Sequence, residues 1–429
     1  MSDNDNRQYV SIDQLCIGLF VHLDLTWMEH PFTFSSFKIK SQDQIDTIRG
    51  LGLNKIRFDP SKSDVKPLLQ PAGGAGDAPN APAQPKQISE EEKAALAAKR
   101  SRIEKLEKQR AAIAECEKKF HGAATAVKNI TKTLFSKPQE SLREASELVG
   151  QMVDSMLTDK DIAIHLMSDK VAGEEVYFHS LNVAVLAMIL GKELGLPADD
   201  IRTLGVGSMF HDIGKVEIPE KILLKTDPLT RAEIDFMRQH VAYGMDIGKK
   251  VGLAPGVLAI IAQHHEYMDG SGYPRGTAGD KLYQLSRIIT IVNDYDNQCN
   301  QVNPANSMTP HEALSQMFSQ HRARYDPAAL KLFVRTLGVY PPGTIVKLSN
   351  EVIGMVTSVN SSKPLKPSVL IYDPEIPKHE AVILDLETEP DINVSKSIKP
   401  GQLPRQIHDY LNPRKRMTYF FDPSQQGGK

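Results

Sequence analysis

Five of the chain's thirteen histidines fall between positions 179 and 265, and acidic residues are interleaved with them. Core packing rarely produces such a density of polar rings, whereas imidazole and carboxylate groups together are ligands that divalent metals bind in proteins. A chain that carries these groups on several segments must fold so that the segments converge. The candidate ligands of such a metal site are Glu175, His179, His211, Asp212, His240, His264 and His265.

The spacings of these residues favour a helical scaffold and more than one ion. Glu175 and His179 are four positions apart, so they share one face of a helix. The neighbours at 211–212 include an aspartate, whose two oxygens can bridge two ions, and the two histidines at 264–265 diverge, which suits two different metals. Six to seven protein ligands are too many for one tetrahedral site. The set predicts two or three divalent ions, and its nitrogen and oxygen donors favour iron or manganese over a closed structural zinc.

Each residue alone has a simpler interpretation. A single histidine on an apolar helix face is more often a satisfied core or surface residue than a ligand. The joint pattern favours the metal site because the same segments carry HDIGK at 211–215 and DGSGYP at 269–274. Cysteine does not compete for the metal, since Cys16, Cys116 and Cys299 are far apart and form no CxxC pair.

These motifs carry a resemblance to a known family. HDIGK at 211–215, followed by HHE at 264–266 and DGSGYP at 269–274, resembles the HD-GYP family of cyclic dinucleotide phosphodiesterases, a branch of the HD metal-dependent phosphohydrolases. The likeness covers residues 171–338. It implies an all-α bundle and the hydrolysis of cyclic di-GMP, or of a related cyclic dinucleotide, to the linear dinucleotide, to GMP or to both.

The resemblance also implies roles for single residues. The seven candidates above match the family's metal ligands, and Asp212 is expected to bridge the ions. Two ions can share a water and present it to phosphorus as a metal-bridging hydroxide. Asp212 and Lys215 are the implied catalytic residues, since Lys215 adds positive charge near the scissile phosphate. The implied substrate-binding residues are Lys215, Asp269, Gly272, Tyr273 and Pro274.

One position departs from the family's pattern. Where the family places its last metal aspartate, this chain has Asn293, and Asp294 follows one residue out of register. An asparagine oxygen can bind a metal but brings no charge. Three alternatives follow: Asn293 is a neutral ligand, a distorted helix lets Asp294 bind instead, or the site is impaired. The family's arginine-containing loop after this helix is replaced by CNQVNPANSMTP.

Three classes of function are compatible with these residues. The first is the metal-dependent phosphodiesterase, with a cyclic dinucleotide as substrate and signalling proteins such as diguanylate cyclases as partners. The second is a catalytically weak receptor or scaffold for cyclic dinucleotides, which Asn293 supports. The third is a general HD nucleotide phosphohydrolase, which the DGSGYP segment disfavours.

The chain is predicted to be multidomain and mainly α, with five segments. An apolar stripe in the charged helical segment, Leu96, Ile103, Leu106, Ile113 and Phe120, fits either a homodimer or a solvated helix packed on its own domain. A terminal helix or coil is expected around 404–419, and PRKRM at 413–417 is interpreted as a solvated tail. The segments are a small α+β N-terminal regulatory domain (1–70), a flexible Pro/Ala/Gly linker (71–88), a charged helical segment (89–160), the HD-GYP domain (161–340) and a small β appendage with the tail (341–429).

The N-terminal domain resembles the small uncharacterised domain often found ahead of HD-GYP domains. Trp27, Pro31 and Phe32 match its W-x-x-HPF element. Trp27, His30 and Phe32 either line a ligand site or, as we favour, anchor a small aromatic core.

Composition excludes several other classes. A net charge of −2 and a pI near 6.7 give no case for binding a nucleic acid polymer. No apolar run of about eighteen residues occurs, so no membrane span is expected. The polar start MSDNDNRQYV has no signal-peptide pattern, and three scattered cysteines imply no disulfide framework. A cytoplasmic location is the prediction.

Overall fold

A computed structural model describes most of the chain. Trp27, the predicted linker at 71–88 and Arg414 of the basic tail lie outside the described residues. Described are residues 8–25, 30–32, 35–68, 90–158, 163–167, 175–360, 363–374, 376, 378, 381–413 and 417–422. The backbone alone is described for residues 90–103, 105–106, 109–110, 112, 163, 175–176, 360 and 422.

The chain forms two compact units, and the first contains a small antiparallel sheet. Its strand order is β1-β4-β2-β3, and the helix α1 packs Ile45 and Ile48 into the same core as Val21 and Ile56. Alternating apolar residues along the strands explain why one face of the sheet is buried. The elements are β1 (Gln8–Ser11), β2 (Phe20–His22), β3 (Ser36–Lys38), α1 (Gln42–Gly50) and β4 (Lys55–Phe58).

The aromatic residues of this unit belong to its core. His30 is buried, and its Nε2 lies 3.0 Å from Ser35 Oγ. The ring of Phe32 lies 6.1 Å from that of His30 and 4.5 Å from that of Phe37. These contacts favour the core interpretation over a ligand site for His30 and Phe32.

The second unit is mainly helical. One long helix, α2, begins in the first unit and ends in the second. The helices are α2 (Glu90–Thr133), α3 (Pro138–Thr158), α4 (Glu175–Glu193), α5 (Ala198–Phe210), α6 (Glu220–Leu223), α7 (Arg231–Arg238), α8 (His240–Val251), α9 (Pro255–Gln263), α10 (Gln284–Cys299), α11 (Pro310–Ser319), α12 (Pro327–Leu337) and α13 (Arg405–Leu411).

Helix α4 is the centre of this bundle. Residues 180–191 are all buried, as expected of a helix that is apolar on every side and therefore surrounded by others. It packs closely against α5 and α10. The polar His179 and Asn182 consequently lie in the interior, where each polar atom needs a partner.

A glycine sets the approach of α8 to the rest of the bundle. Gly214 lies in the 3-10 turn Ile213–Glu217 that follows the His-Asp pair. A Cβ atom there would lie 1.9 Å from His240 O and 2.4 Å from Gly244 N, both backbone atoms of α8. Only glycine allows this contact, so the G of HDIGK is what lets α8 bring His240 to the site.

A seven-stranded antiparallel sheet completes the second unit. Its main path is β10-β6-β7-β5-β11, with β8 beside β7 and β9 beside β8. The sheet shares one hydrophobic core with the helices, because Ile345 and Tyr419 belong to the same buried cluster as α4. The strands are β5 (Ala163–Leu166), β6 (Ile345–Leu348), β7 (Ile353–Asn360), β8 (Ser368–Ile371), β9 (Ile383–Asp385), β10 (Val394–Ile398) and β11 (Tyr419–Asp422).

The predicted fold class is confirmed: the molecule is multidomain and mainly α, with a small α+β N-terminal unit and a β region after the bundle. The sheet is more integrated than an appendage, since β5 comes from the segment before α4 and β11 from the tail. On the stripe of α2, Phe120 is buried against Phe178 and Phe420. Within the described residues, no helix is long and apolar enough to cross a bilayer.

Candidate metal centre

The candidate ligands lie at the ends of four helices. His179 is in the first turns of α4, and His211 follows the last residue of α5. His240 begins α8, and His264 follows the last residue of α9. Helix ends place side chains where neighbouring helices converge, so residues from distant segments meet at one point.

Asp212 lies in the middle of the histidines, and each of its oxygens faces one pair of them. Its Oδ2 lies 3.5 Å from His179 Nε2 and 3.4 Å from His211 Nε2. Its Oδ1 lies 3.4 Å from His240 Nε2 and 3.7 Å from His264 Nε2. Two groups of ligand atoms result, both containing Asp212: one with His179 and His211, the other with His240, His264 and His265.

Hydrogen bonds orient the histidine rings with Nε2 towards Asp212. A carbonyl oxygen can only accept, so a ring nitrogen that faces one must carry the proton. This leaves the Nε2 lone pair available to a metal, in the arrangement usual for histidine ligands. The bonds run from Nδ1 of His211, His240 and His264 to the carbonyls of Ser208, Met237 and Ile261, at 2.7, 2.7 and 2.8 Å.

Two features of the site fit a bound cation. The Nε2 atoms of His240 and His264 are 3.1 Å apart, where two lone pairs repel each other unless a proton or a cation shares them. Burial lowers the pKa of His240 to about 4, so that this ring is neutral at neutral pH. Asp212 Oδ1 is buried without a hydrogen-bond donor among the described residues, which is costly for a charged oxygen. A divalent ion would satisfy all three atoms.

The two histidines on the other side of Asp212, His179 and His211, differ from each other in charge. Burial lowers the pKa of His211 to about 3. Burial also works against a charged His179, but the carboxylates of Asp296 and Asp212 outweigh it and raise the pKa of His179 to about 9. The pKa of Asp212 lies well below its usual value because Lys215 and His211 outweigh the effect of burial. The centre therefore has an ionised carboxylate between the neutral rings of His211 and His240 and the charged ring of His179.

Lys215 lies beside this carboxylate. Its Nζ is 2.5 Å from Asp212 Oδ2, and the side chain is 30% exposed. The ammonium group is thus at the mouth of the site rather than inside it. A cation in this position can face the oxygens of an anionic substrate, and the role of Lys215 near the scissile phosphate stays a prediction.

The loop with the GYP residues is built onto His265. A Cβ atom on Gly272 would lie 2.4 Å from His265 O, so only glycine permits the loop to pass this close. Tyr273 N donates to His265 O at 3.0 Å, and the two rings stack with centroids 4.6 Å apart. Buried Glu266 anchors the far side of the loop by accepting from the backbone N–H groups of residues 275 and 277. The loop forms one wall of the centre.

Arg238 is a functional candidate that the sequence analysis missed. Its guanidinium carbon lies 4.8 Å from the centroid of the Tyr273 ring, which itself stacks on His265. The residue is exposed at the end of α7. Its position two residues before His240 was the only available signal in the sequence. An arginine at this mouth can pair with phosphate or with a guanine edge.

Five further predicted residues remain, and the structure describes the side chains of four of them. Asn293 is buried on α10, its Oδ1 accepts from Asn297 at 3.0 Å, and its Nδ2 has no partner among the described residues. Asp294 lies outside both ligand groups, and its Oδ2 accepts from Tyr325 at 2.9 Å. Asp269 is exposed and accepts from the backbone and hydroxyl of its neighbour at 271, and Pro274 is exposed too. The side chain of Glu175 lies outside the described residues.

Asp296 is a second residue that the sequence analysis missed. It is buried on α10, and its Oδ2 accepts from His179 Nδ1 at 2.5 Å. It lies three positions after Asn293, so the two share the inner face of the helix. This spacing was a signal in the sequence, but the sequence analysis considered only positions 293 and 294 on this helix.

Three family models match the chain and together cover most of it. One described as a domain of unknown function matches residues 7–164. One described as an HD domain matches residues 130–329, which include the whole ligand set. One described as a KOW domain associated with an HD domain matches residues 345–406, within the C-terminal sheet region.

Characterised relatives are similar over different lengths. A cyclic di-GMP phosphodiesterase of Pseudomonas aeruginosa is 27% identical over 381 residues, which are 85% of this chain and 84% of that protein. A cyclic di-GMP phosphodiesterase response regulator of Xanthomonas campestris is 28% identical over 152 residues, 35% of this chain and 40% of that protein. A 3'3'-cGAMP-specific phosphodiesterase of Vibrio cholerae is 30% identical over 191 residues, 44% of this chain and 37% of that protein.

Proposed function

We propose that this chain, which belongs to the HD-GYP family of HD-domain proteins, is a metal-dependent phosphodiesterase that hydrolyses a cyclic dinucleotide. The observation that carries the proposal is the position of Asp212, whose two oxygens each face a pair of histidine Nε2 atoms. A carboxylate in this position can bridge two ions, and two-ion sites are used to cleave phosphodiester bonds.

The ligand groups of the structure suggest how two ions would be held. His179 and His211 would hold one ion with Asp212, and His240, His264 and His265 the other. We keep Glu175 and Asn293 as proposed additional ligands, the latter neutral, and leave out Asp294 because Tyr325 already occupies its carboxylate. Iron or manganese is our proposal for the metal, since all donors are nitrogen or oxygen.

When bound, the ions supply Lewis acidity to the phosphate oxygens and lower the pKa of a bound water. The chain's own residues bind and orient the substrate. Lys215 places an ammonium group beside Asp212, where it can stabilise charge on a non-bridging phosphate oxygen. Burial raises the pKa of Tyr273, so its hydroxyl stays protonated and can donate a hydrogen bond to the substrate.

Cyclic di-GMP or a mixed guanosine–adenosine dinucleotide is the proposed substrate class. Relatives of this chain are named for the hydrolysis of both. A homodimer, contacts with diguanylate cyclases and a cytoplasmic location remain proposals.

Turnover assays with purified protein test the proposal directly. Protein loaded with Mn²⁺ or Fe²⁺ is incubated with cyclic di-GMP or with 3'3'-cGAMP, and the products are separated by chromatography. Asp212→Asn should lower kcat/KM more than about 100-fold and weaken metal binding, because even residues behind a ligand commonly contribute 10–100-fold. Asp409→Asn, at an exposed position of α13, is the matched control and should leave turnover unchanged.

Two outcomes would favour the other classes of function. Tight binding of the cyclic dinucleotide without turnover would identify a receptor or scaffold, for which the uncharged Asn293 is the structural argument. Turnover of nucleoside triphosphates alone would identify a general nucleotide phosphohydrolase. Wild-type turnover by Asp212→Asn would show that the assigned centre is wrong.

A further inference from the structure

One carboxylate beside the centre belongs to neither ligand group. Asp296 is 1% exposed, and its Oδ2 accepts from His179 Nδ1. Its Oδ1 accepts from the amide Nδ2 groups of Asn182 and Asn300, the second at 2.8 Å. Because three N–H groups converge on Asp296, it acts only as an acceptor and the proton stays on His179 Nδ1. His179 Nε2 is then left to face Asp212.

The two asparagines are held by the backbone of the C-terminal segment. Tyr419 N donates to Asn182 Oδ1 at 2.7 Å, and Met417 N donates to Asn300 Oδ1 at 2.7 Å. Met417 O accepts from both amide Nδ2 groups, at 3.2 and 2.9 Å. A backbone N–H can only donate, so each asparagine must turn its oxygen to residues 417–419. Its NH₂ group is then available to Asp296.

We propose that residues 417–419, here called the C-terminal clamp, position His179 for metal binding, with Asp296 as the positioning residue. This inference rests on the proposed metal centre and adds a part of the chain beyond the matched HD domain, which ends at 329. The backbone N–H groups of the clamp fix the orientation of the two asparagine amides. The NH₂ groups of these amides hold the carboxylate of Asp296, and this carboxylate fixes the orientation of the His179 ring. A carboxylate that holds a ligand histidine in this way commonly strengthens metal binding 10–100-fold.

The other oriented histidines do not need the clamp. His211, His240 and His264 each donate to a carbonyl three residues earlier in the chain. His179 instead donates to Asp296, which lies 117 positions away in the chain. Asp296 in turn binds Asn182, which is held by Tyr419, 237 positions after Asn182. Loss of the clamp should therefore weaken the binding of only the ion that His179 and His211 hold. The binding of the other ion should not change.

Co²⁺ titration of the full chain tests this selectivity. Absorbance gives the number and affinity of bound ions, and paramagnetically shifted ring N–H resonances report which histidines ligate through Nε2. The test variants are Asp296→Asn, which keeps the size of the side chain, and Asn300→Ala. Tyr419→Phe is the control, since it removes the hydroxyl contacts to Tyr295 and Pro342 but keeps the backbone N–H of the clamp.

We expect both test variants to bind one of the two ions about 10–100-fold more weakly and to lose one shifted ring N–H resonance. Tyr419→Phe should keep both ions and all resonances, even if it unfolds at a lower temperature. Equal affinities in all variants would overturn the inference, and so would a loss in Tyr419→Phe as large as in Asn300→Ala. A wild-type protein with a single bound ion and normal turnover would also overturn it, while the proposed function would stand.

Discussion

At the scale of single residues, Asp294 shows how burial opposes a charge close to the centre. Burial raises the pKa of its carboxyl to about 6, although Tyr325 donates to it. The same group titrates near about 3.9 in an unfolded chain. The folded state thus binds the proton of Asp294 more tightly than the unfolded state does. This tighter binding stabilises the fold fully below about pH 4, and the stabilisation is lost as the pH rises through about 6.

Asp294→Asn should therefore stabilise the protein in a pH-dependent way. The amide keeps an oxygen for Tyr325 and removes the buried charge. We expect the free energy of unfolding to increase by on the order of 3 kcal/mol at pH 8, with the gain shrinking towards zero near about pH 4. Urea unfolding at several pH values measures this difference. A gain that does not change with pH would show that the carboxyl is not protonated preferentially in the folded state.

Arg238 is the residue from which we expect an effect on substrate binding alone. It lies over Tyr273 at the mouth of the centre and has no ion-pair partner in the part of the chain that the structure describes. Arg238→Gln should raise KM for the cyclic dinucleotide about tenfold, since a charge-assisted hydrogen bond contributes about 1.5–3 kcal/mol. Turnover of bis(p-nitrophenyl) phosphate, which has a phosphodiester group but no nucleobase, should stay within about twofold.

The matched control for this prediction lies on the same helix. Arg231 is exposed at the start of α7 and pairs with Asp235. Arg231→Gln should leave both activities unchanged. If Arg238→Gln lowers the turnover of both esters equally, the arginine acts on the metal ligands or on folding rather than on the dinucleotide.

At the scale of elements, the contact between α8 and the turn after Asp212 determines whether the second ion can bind. Gly214→Ala would push its Cβ into the backbone of α8, near His240 O. We expect a loss of about 1–3 kcal/mol in stability, the usual effect of overpacking, and at least about tenfold weaker metal binding because His240 moves with the helix. Thermal unfolding and Co²⁺ titration measure the two effects.

Gly122→Ala provides the comparison within the same unit. This glycine is exposed in α2, and a Cβ atom there would meet nothing within 4 Å. Alanine should stabilise the helix by about 0.5–1 kcal/mol without changing metal affinity. Similar behaviour of the two variants would mean that α8 does not rest on the turn as closely as the structure has it.

At the scale of the whole molecule, the metal ions should contribute to the stability of the folded chain. The ligands come from four helices, so the complete site exists only when the bundle is folded. An ion at 100 times its Kd stabilises such a state by about 2.7 kcal/mol. We expect EDTA to lower the unfolding temperature of the wild type, Mn²⁺ to restore it, and neither to affect Asp212→Asn. An equal response of the variant would place the stabilising ion elsewhere.

Much of the site could be predicted from the sequence because its evidence is local. The donors and their short spacings, the HDIGK run with its glycine, and the loop at 269–274 all lie within single segments. The choice between Asn293 and Asp294 was left open by the sequence, since the two differ by one step on a helix. The structure turns Asp294 towards Tyr325, a contact that follows from the packing of α10, and the ligand at this position stays a prediction.

The sequence by itself determined which chemical groups the chain has, which of them share a helix face, and the fold class that such segments form. Only the tertiary structure decided that each oxygen of Asp212 meets one histidine pair, that Arg238 lies over Tyr273, and that the tail orients His179 through Asp296. The physical reason is that periodicity specifies the face of each helix or strand. The partner of that face, which for Asn182 lies 237 positions away at Tyr419, is selected by packing of the whole core.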